Sequence, residues 1–126
     1  MFNIKEVQAH CDIPCKIYDP ATAQIATLSV IRLLDLIAEL GDPLKSPADA
    51  AQLSRLVEQK ETHAASVKHD VVTIWGDYFK APQIEAHPDV HNLVHTIMQQ
   101  ASKCKQEISR ETGEKLWASV NKFAEM

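Results

Sequence analysis

A chain of 126 residues, 45% hydrophobic and 24% charged, is long enough for one domain with its own core and carries an ordinary soluble surface. Its formal charge of -4 leaves no basic footprint, which argues against a nucleic-acid partner. With only 3 glycines a turn-rich β protein is disfavoured, and no apolar run approaches the roughly 18 residues that a membrane span requires.

Residues 1–9, "MFNIKEVQA", hold no apolar stretch long enough for the core of a secretory signal, although Val7 and Ala9 imitate its small-residue cleavage site. The expected location is therefore the cytoplasm. There, an odd count of 3 cysteines points to metal or redox chemistry before a disulfide framework. Two of them fall in the next stretch, "HCDIPCKIYDP" (residues 10–20), beside a histidine.

Asp19-Pro20 reads as an N-cap followed by the first helical residue. Ile25, Leu28, Val30, Ile31, Leu33, Leu34, Ile37 and Leu40 then predict a mostly apolar helix, stopped by Gly41 and Pro43. Ser46-Pro47 repeats the cap-then-proline signal. A second helix follows to about Phe79, with a seam of Ala50, Leu53, Val57, Ala64, Val67, Val71, Ile74 and Tyr78 broken only at Lys60.

Two prolines in "KAPQIEAHPD" break the pattern. A third helix is predicted from about Pro88 to Cys104, with Val90, Leu93, Val94, Ile97, Met98 and Ala101 inward. A fourth is predicted from about Gln106 to Ala124, with Ile108, Leu116, Val120 and Phe123 inward and Gly113 inside it. Four helices with short connections predict an all-α, antiparallel up-and-down four-helix bundle over residues 21–126, preceded by an N-terminal arm that a metal could tie down.

Thiolates are soft donors, and two of them with nitrogen ligands suit zinc, copper or nickel better than magnesium or calcium. Cys11 and Cys15 stand four apart with Pro14 between them, so one short turn can bring both sulfurs to one ion. If the chain were cut before His10, that residue would add a free α-amine to its imidazole. Amine, deprotonated amide and two thiolates can lie in the plane that Ni(II) favours, with the imidazole axial to Ni(III). Such anionic donors suit one-electron cycling better than hydrolysis.

Residues 10–20 closely resemble the nickel hook of the nickel superoxide dismutase family, H-C-x-x-P-C-x-x-Y-D-P, and "WGDYFKAP" at 75–82 resembles its W-x-D-Y-F-K-x-P segment. The resemblance implies a superoxide dismutase that turns superoxide into oxygen and hydrogen peroxide by Ni(II)/Ni(III) cycling, with one nickel ion per chain. It implies that a maturation peptidase removes residues 1–9, leaving a single domain (10–126) that begins at His10. The metal ligands would be His10, Cys11 and Cys15, and Pro14 matches the hook proline.

The same resemblance makes Tyr18 and Tyr78 the residues that flank the open face of the metal. It sets Asp12 and Lys80 near the same channel, where Lys80 would attract the superoxide anion. It also implies a homohexamer; the charge and the apolar run lengths predict no nucleic-acid or membrane partner.

Three positions depart from the family pattern. Lys16 stands where glycine is common, Ala26 where an acid of the first helix usually orients the axial imidazole, and His63 near an arginine of the second helix, where His63 itself could hold the imidazole. His87, His91 and His95 line one helical face at i, i+4 and i+8 without an obvious carboxylate or cysteine partner. They read as solvent-edge or interface residues before a second metal site. Cys104 reads as a half-buried structural thiol and Trp75 as core. The competing function is a non-catalytic nickel- or zinc-binding helical protein that reuses the hook, with zinc held tetrahedrally if residues 1–9 are retained.

Overall fold

The computed structural model describes residues 17–126. Among them are five helices: α1 (Ala21–Leu40), α2 (Pro47–Asp77), the short α3 (Ala81–Ala86), α4 (Val90–Gln106) and α5 (Arg110–Ala124). The four long ones close a ring in which α1 packs on α2, α2 on α4, α4 on α5, and α5 back on α1. That is the expected bundle, with one extra short helix at the crossing from α2 to α4.

The helix boundaries follow local chemistry. The Ala21 N–H donates to Asp19 Oδ1 at 2.8 Å, so Asp19 caps α1 although helical geometry begins just after Pro20. At the other end, Gly41 takes a φ of 79° and its N–H donates to the Ala38 carbonyl, a conformation that favours glycine. Ser46 Oγ accepts from the Asp49 N–H at 3.2 Å and Asp49 Oδ2 accepts from the Lys45 N–H at 3.0 Å. With Pro47 opening α2, three of the usual start signals coincide there.

The proline-rich crossing forms a helix where the sequence predicts a break. Pro82 sits in the first turn of α3, where a missing N–H costs nothing, and Gln83 Oε1 accepts from the Lys80 N–H at 3.1 Å. Downstream, α4 runs on to Gln106, so Ile108 falls in the connection to α5. It is 61% exposed, contrary to its predicted inward position.

Ala23, Val30 and Leu34 of α1 meet Ala64, Val67 and Val71 of α2, Val94, Ile97 and Ala101 of α4, and Leu116, Val120 and Phe123 of α5 in one core. Ile25 and Leu28, counted among the apolar positions of α1, face outward instead. A helix apolar on most of its circumference can bury only the stripe that meets its neighbours, here one lined by Ala23, Ala26 and Thr27. Taken alone, α1 is long and apolar enough to cross a membrane, which corrects the expectation that no stretch reaches that length. In α2, Ala50 is exposed and Leu53 half-buried, whereas Leu56 and Lys60 are buried.

Gly113 in α5 allows a close approach to α1. A Cβ there would lie 2.8 Å from Ile31 Cγ1 and 3.1 Å from Leu34 Cδ1.

Candidate metal centre

The start of α1 and the end of α2 come together at one end of the bundle. Tyr18, just before α1, and Tyr78, the C-cap of α2, have ring centroids 6.0 Å apart, with the planes inclined at 51°. Tyr18 is half-buried and Tyr78 is 43% exposed. The sequence places Tyr78 on the inward seam of α2; its exposure at the helix end corrects that position.

Lys80 follows as the N-cap of α3, with its side chain exposed. Behind the tyrosines lie Phe79 and Phe123, both buried, with Phe79 edge-on to Tyr78 at 5.3 Å. Lys122 and Asp89 tie the end of α5 to the start of α4 at 3.1 Å. That contact, with the Lys122 hydrogen bond foremost, holds the Asp89 carboxyl below the usual carboxylate range.

Trp75 is half-buried against the core, and its indole N–H donates to His91 Nδ1 at 2.9 Å with the rings perpendicular. His91 is exposed as expected, but it has a specific partner that sixteen residues of sequence separation hide. Among the described residues no three histidine, cysteine or carboxylate side chains, His87, His91 and His95 included, gather closely enough to hold an ion. Cys104 is fully buried, deeper than the half-buried thiol predicted, and desolvation pushes its thiol pKa up.

His10, Cys11, Asp12, Pro14, Cys15 and Lys16 lie outside the described residues. Of the two departures inside the bundle, Ala26 is buried on the core face of α1. His63 lies on α2 about 22 Å along the axis from Tyr78, at roughly 1.5 Å per residue. It therefore does not reach the tyrosine end of its own chain.

The family model for nickel-containing superoxide dismutase matches residues 5–126. The chain belongs to the nickel superoxide dismutase family. It is 38% identical over 109 residues to the nickel superoxide dismutase of Streptomyces coelicolor, covering 86% of this chain and 78% of that one. The corresponding protein of Streptomyces seoulensis is 36% identical over 110 residues, covering 87% and 79%.

Among solved structures, native nickel superoxide dismutase at 1.30 Å superposes with a TM-score of 0.80 and 33% identity, covering 92% of this chain and 94% of that one. A structure with nickel ligation of the oxidised state gives a TM-score of 0.81 and 32% identity, covering 92% and 93%. The protein is thus a nickel-dependent oxidoreductase whose substrate is superoxide, and the non-catalytic alternative is not favoured.

Proposed function

We propose that His10, Cys11 and Cys15 hold the nickel, one ion per chain, after a maturation peptidase removes residues 1–9. The observation that carries this assignment is the hook pattern at residues 10–20, in a chain that the family model matches over residues 5–126. Cys104, the remaining cysteine, is fully buried. In the N-terminal segment two thiolates, an imidazole and a free amine would form a chemically suitable set.

When bound, nickel supplies the one-electron Ni(II)/Ni(III) couple by which superoxide becomes oxygen and hydrogen peroxide. The chain's own residues control what reaches it. Three peptide steps separate Cys15 from Tyr18, which limits the distance between their α-carbons to about 11 Å. Two tilted phenol rings with centroids 6.0 Å apart narrow the approach to small molecules, and their O–H groups can donate to an anion or order water.

The exposed Lys80 ammonium, two residues past Tyr78, adds positive potential for an incoming superoxide anion. Asp12 belongs to the same channel in this reading. The domain is the segment 10–126, it works in the cytoplasm, and it assembles as a homohexamer without nucleic-acid or membrane partners.

Intact mass and metal analysis of protein from its native host test the assignment. The expected product starts at His10 with about one nickel per chain. A full-length chain carrying zinc would overturn it. Cys11→Ser and Cys15→Ser should each abolish nickel retention and superoxide removal; activity surviving either change would move the site elsewhere.

A further inference from the structure

The two tyrosines are the outer members of a longer row. Phe123 and Phe79 have ring centroids 5.7 Å apart, Phe79 meets Tyr78 edge-on at 5.3 Å and 89°, and Tyr78 meets Tyr18 at 6.0 Å. Exposure rises from 3% at Phe123 and 6% at Phe79 to 43% at Tyr78, with Tyr18 beyond it half-buried. Tyr78 is the last residue on the helical ladder of α2. Its N–H donates to the Ile74 carbonyl, and its ring is 43% exposed. A side chain so placed has several rotamers open to it unless neighbours select one.

We propose that Phe79 and Phe123 are positioning residues for superoxide dismutation: they select the Tyr78 rotamer that faces Tyr18. The proposal rests on the reading of Tyr78 as a residue of the substrate channel. Phe79 acts directly, through the perpendicular contact with the Tyr78 ring. Phe123 acts at one remove, by fixing Phe79 from the last turn of α5, so the last helix of the chain supports a site built on its first two. An edge-to-face aromatic pair favours one arrangement by about 2- to 12-fold, so its loss spreads Tyr78 over several rotamers without unfolding the bundle. A site populated only part of the time loses rate in the same proportion.

The chain has only 2 tyrosines, which makes the rotamer observable. In nickel-loaded enzyme labelled with 3-fluorotyrosine, Tyr18→Phe assigns the two fluorine resonances. Phe79→Leu and Phe123→Leu should each move the Tyr78 resonance toward that of a solvent-exposed ring and slow dismutation, measured by pulse radiolysis, by about 2- to 10-fold. Leu116→Ala, a lesion in the core face of the same helix, should leave the resonance in place. In a Tyr78→Ala background, Phe79→Leu should cost nothing further, because a residue that acts through another shows full coupling to it.

A Tyr78 resonance unmoved by both phenylalanine changes overturns the proposal. A rate loss that persists undiminished in the Tyr78→Ala background does so too. Should Phe123→Leu fail to fold, Phe79→Leu carries the same comparison. If Tyr78→Ala itself keeps the full rate, the channel role of Tyr78 fails, while the fluorine spectrum still reports whether the phenylalanines hold its ring.

Discussion

Lys60 is 1% exposed, in a helix face otherwise lined by Leu56, Ala64, Val67 and Val71. Its ammonium donates to the carbonyls of Cys104 at 2.6 Å, Lys105 at 2.7 Å and Glu107 at 2.8 Å. Helix ends leave carbonyls without intrahelical partners, and these three close α4 and begin the turn to α5. The perturbation to make is Lys60→Met, which keeps most of the stem and deletes the charge.

Two terms of opposite sign decide the outcome. The Cys104 carbonyl is bonded in a buried position, and leaving it without a donor costs about 1–3 kcal/mol. The Lys105 and Glu107 bonds are only partly buried, so water replaces the donor there and the cost of each is smaller. Against this stands the relief of a buried charge, a cost that also pushes the Lys60 amine below its ordinary pKa. Three carbonyls lose their donor at once and one of them is out of reach of water, so the balance is a loss of about 2 kcal/mol.

For a domain of this size a loss of that order lowers the melting temperature by about 8 °C. The assay is far-UV circular dichroism at matched protein concentration, since assembly raises the apparent stability of any oligomer. Hydrogen exchange should quicken first at Arg110–Gly113, next to the released turn. There is also a pH signature. Between the lowered native pKa and the ordinary lysine value, the unfolded chain binds more protons, so the Lys60 contribution to stability grows as pH rises through that window. An unchanged or higher melting temperature for Lys60→Met would refute the argument, because burial of the ammonium would then outweigh its three acceptors.

Gly113→Ala should lower the urea midpoint by about 1 kcal/mol of stability, because overpacking against Ile31 at 2.8 Å exceeds the gain in helix propensity; a raised midpoint would contradict the close approach. Hydrogen bonds from Arg110 and Lys122 hold the Asp35 and Asp89 carboxyls below the usual range. Their stabilising contribution is present above the ordinary carboxylate pKa and is lost as pH falls through the lowered native values, below about pH 4. Asp35→Asn with Asp89→Asn should therefore flatten the acid limb of a melting-temperature profile, and an identical limb would show that the two pairs contribute nothing. Cys104, fully buried with a raised thiol pKa, should resist iodoacetamide in folded Cys11→Ser/Cys15→Ser protein and gain one alkyl group, seen by mass, only on denaturation.

The sequence carries the helix starts because they are local chemistry: Asp19 before Pro20 and Ser46 before Pro47 both act as caps. It does not carry the choice of buried face where a helix is apolar on most of its circumference, which is why Ile25 and Leu28 turn out exposed. The prolines of residues 80–89 misled for a related reason. Proline breaks helix interiors but is tolerated in a first turn, and only the observed start of α3 tells which case Pro82 is. Lys60 looked like a gap in a seam because its three carbonyls lie more than forty residues away.

The family was the most legible part. The hook pattern, with Tyr18, is written within residues 10–20, and the second matching segment, with Tyr78, within residues 75–82. The packing that orients those tyrosines was not, since Phe123 reads as one more inward residue until the ring contacts link it to Phe79.

Two kinds of anchorage therefore serve two stretches of α2. Lys60 and Tyr78 stand roughly 27 Å apart along its axis, at about 1.5 Å per residue. At mid-helix an ammonium holds the α4–α5 turn by hydrogen bonds; at the C-terminal end, buried rings hold an exposed tyrosine by contact alone. Lesions this far apart with no shared partner should act independently. Lys60→Met, assayed below its melting transition, should keep the dismutation rate of the parent enzyme while losing stability, whereas Phe79→Leu should lose rate out of proportion to its change in melting temperature. Pulse radiolysis on nickel-loaded samples, set beside melting curves of the same samples, separates the two. A Lys60→Met enzyme that is slow while fully folded would mean that the far turn also shapes the site, and the division between the two stretches would fail.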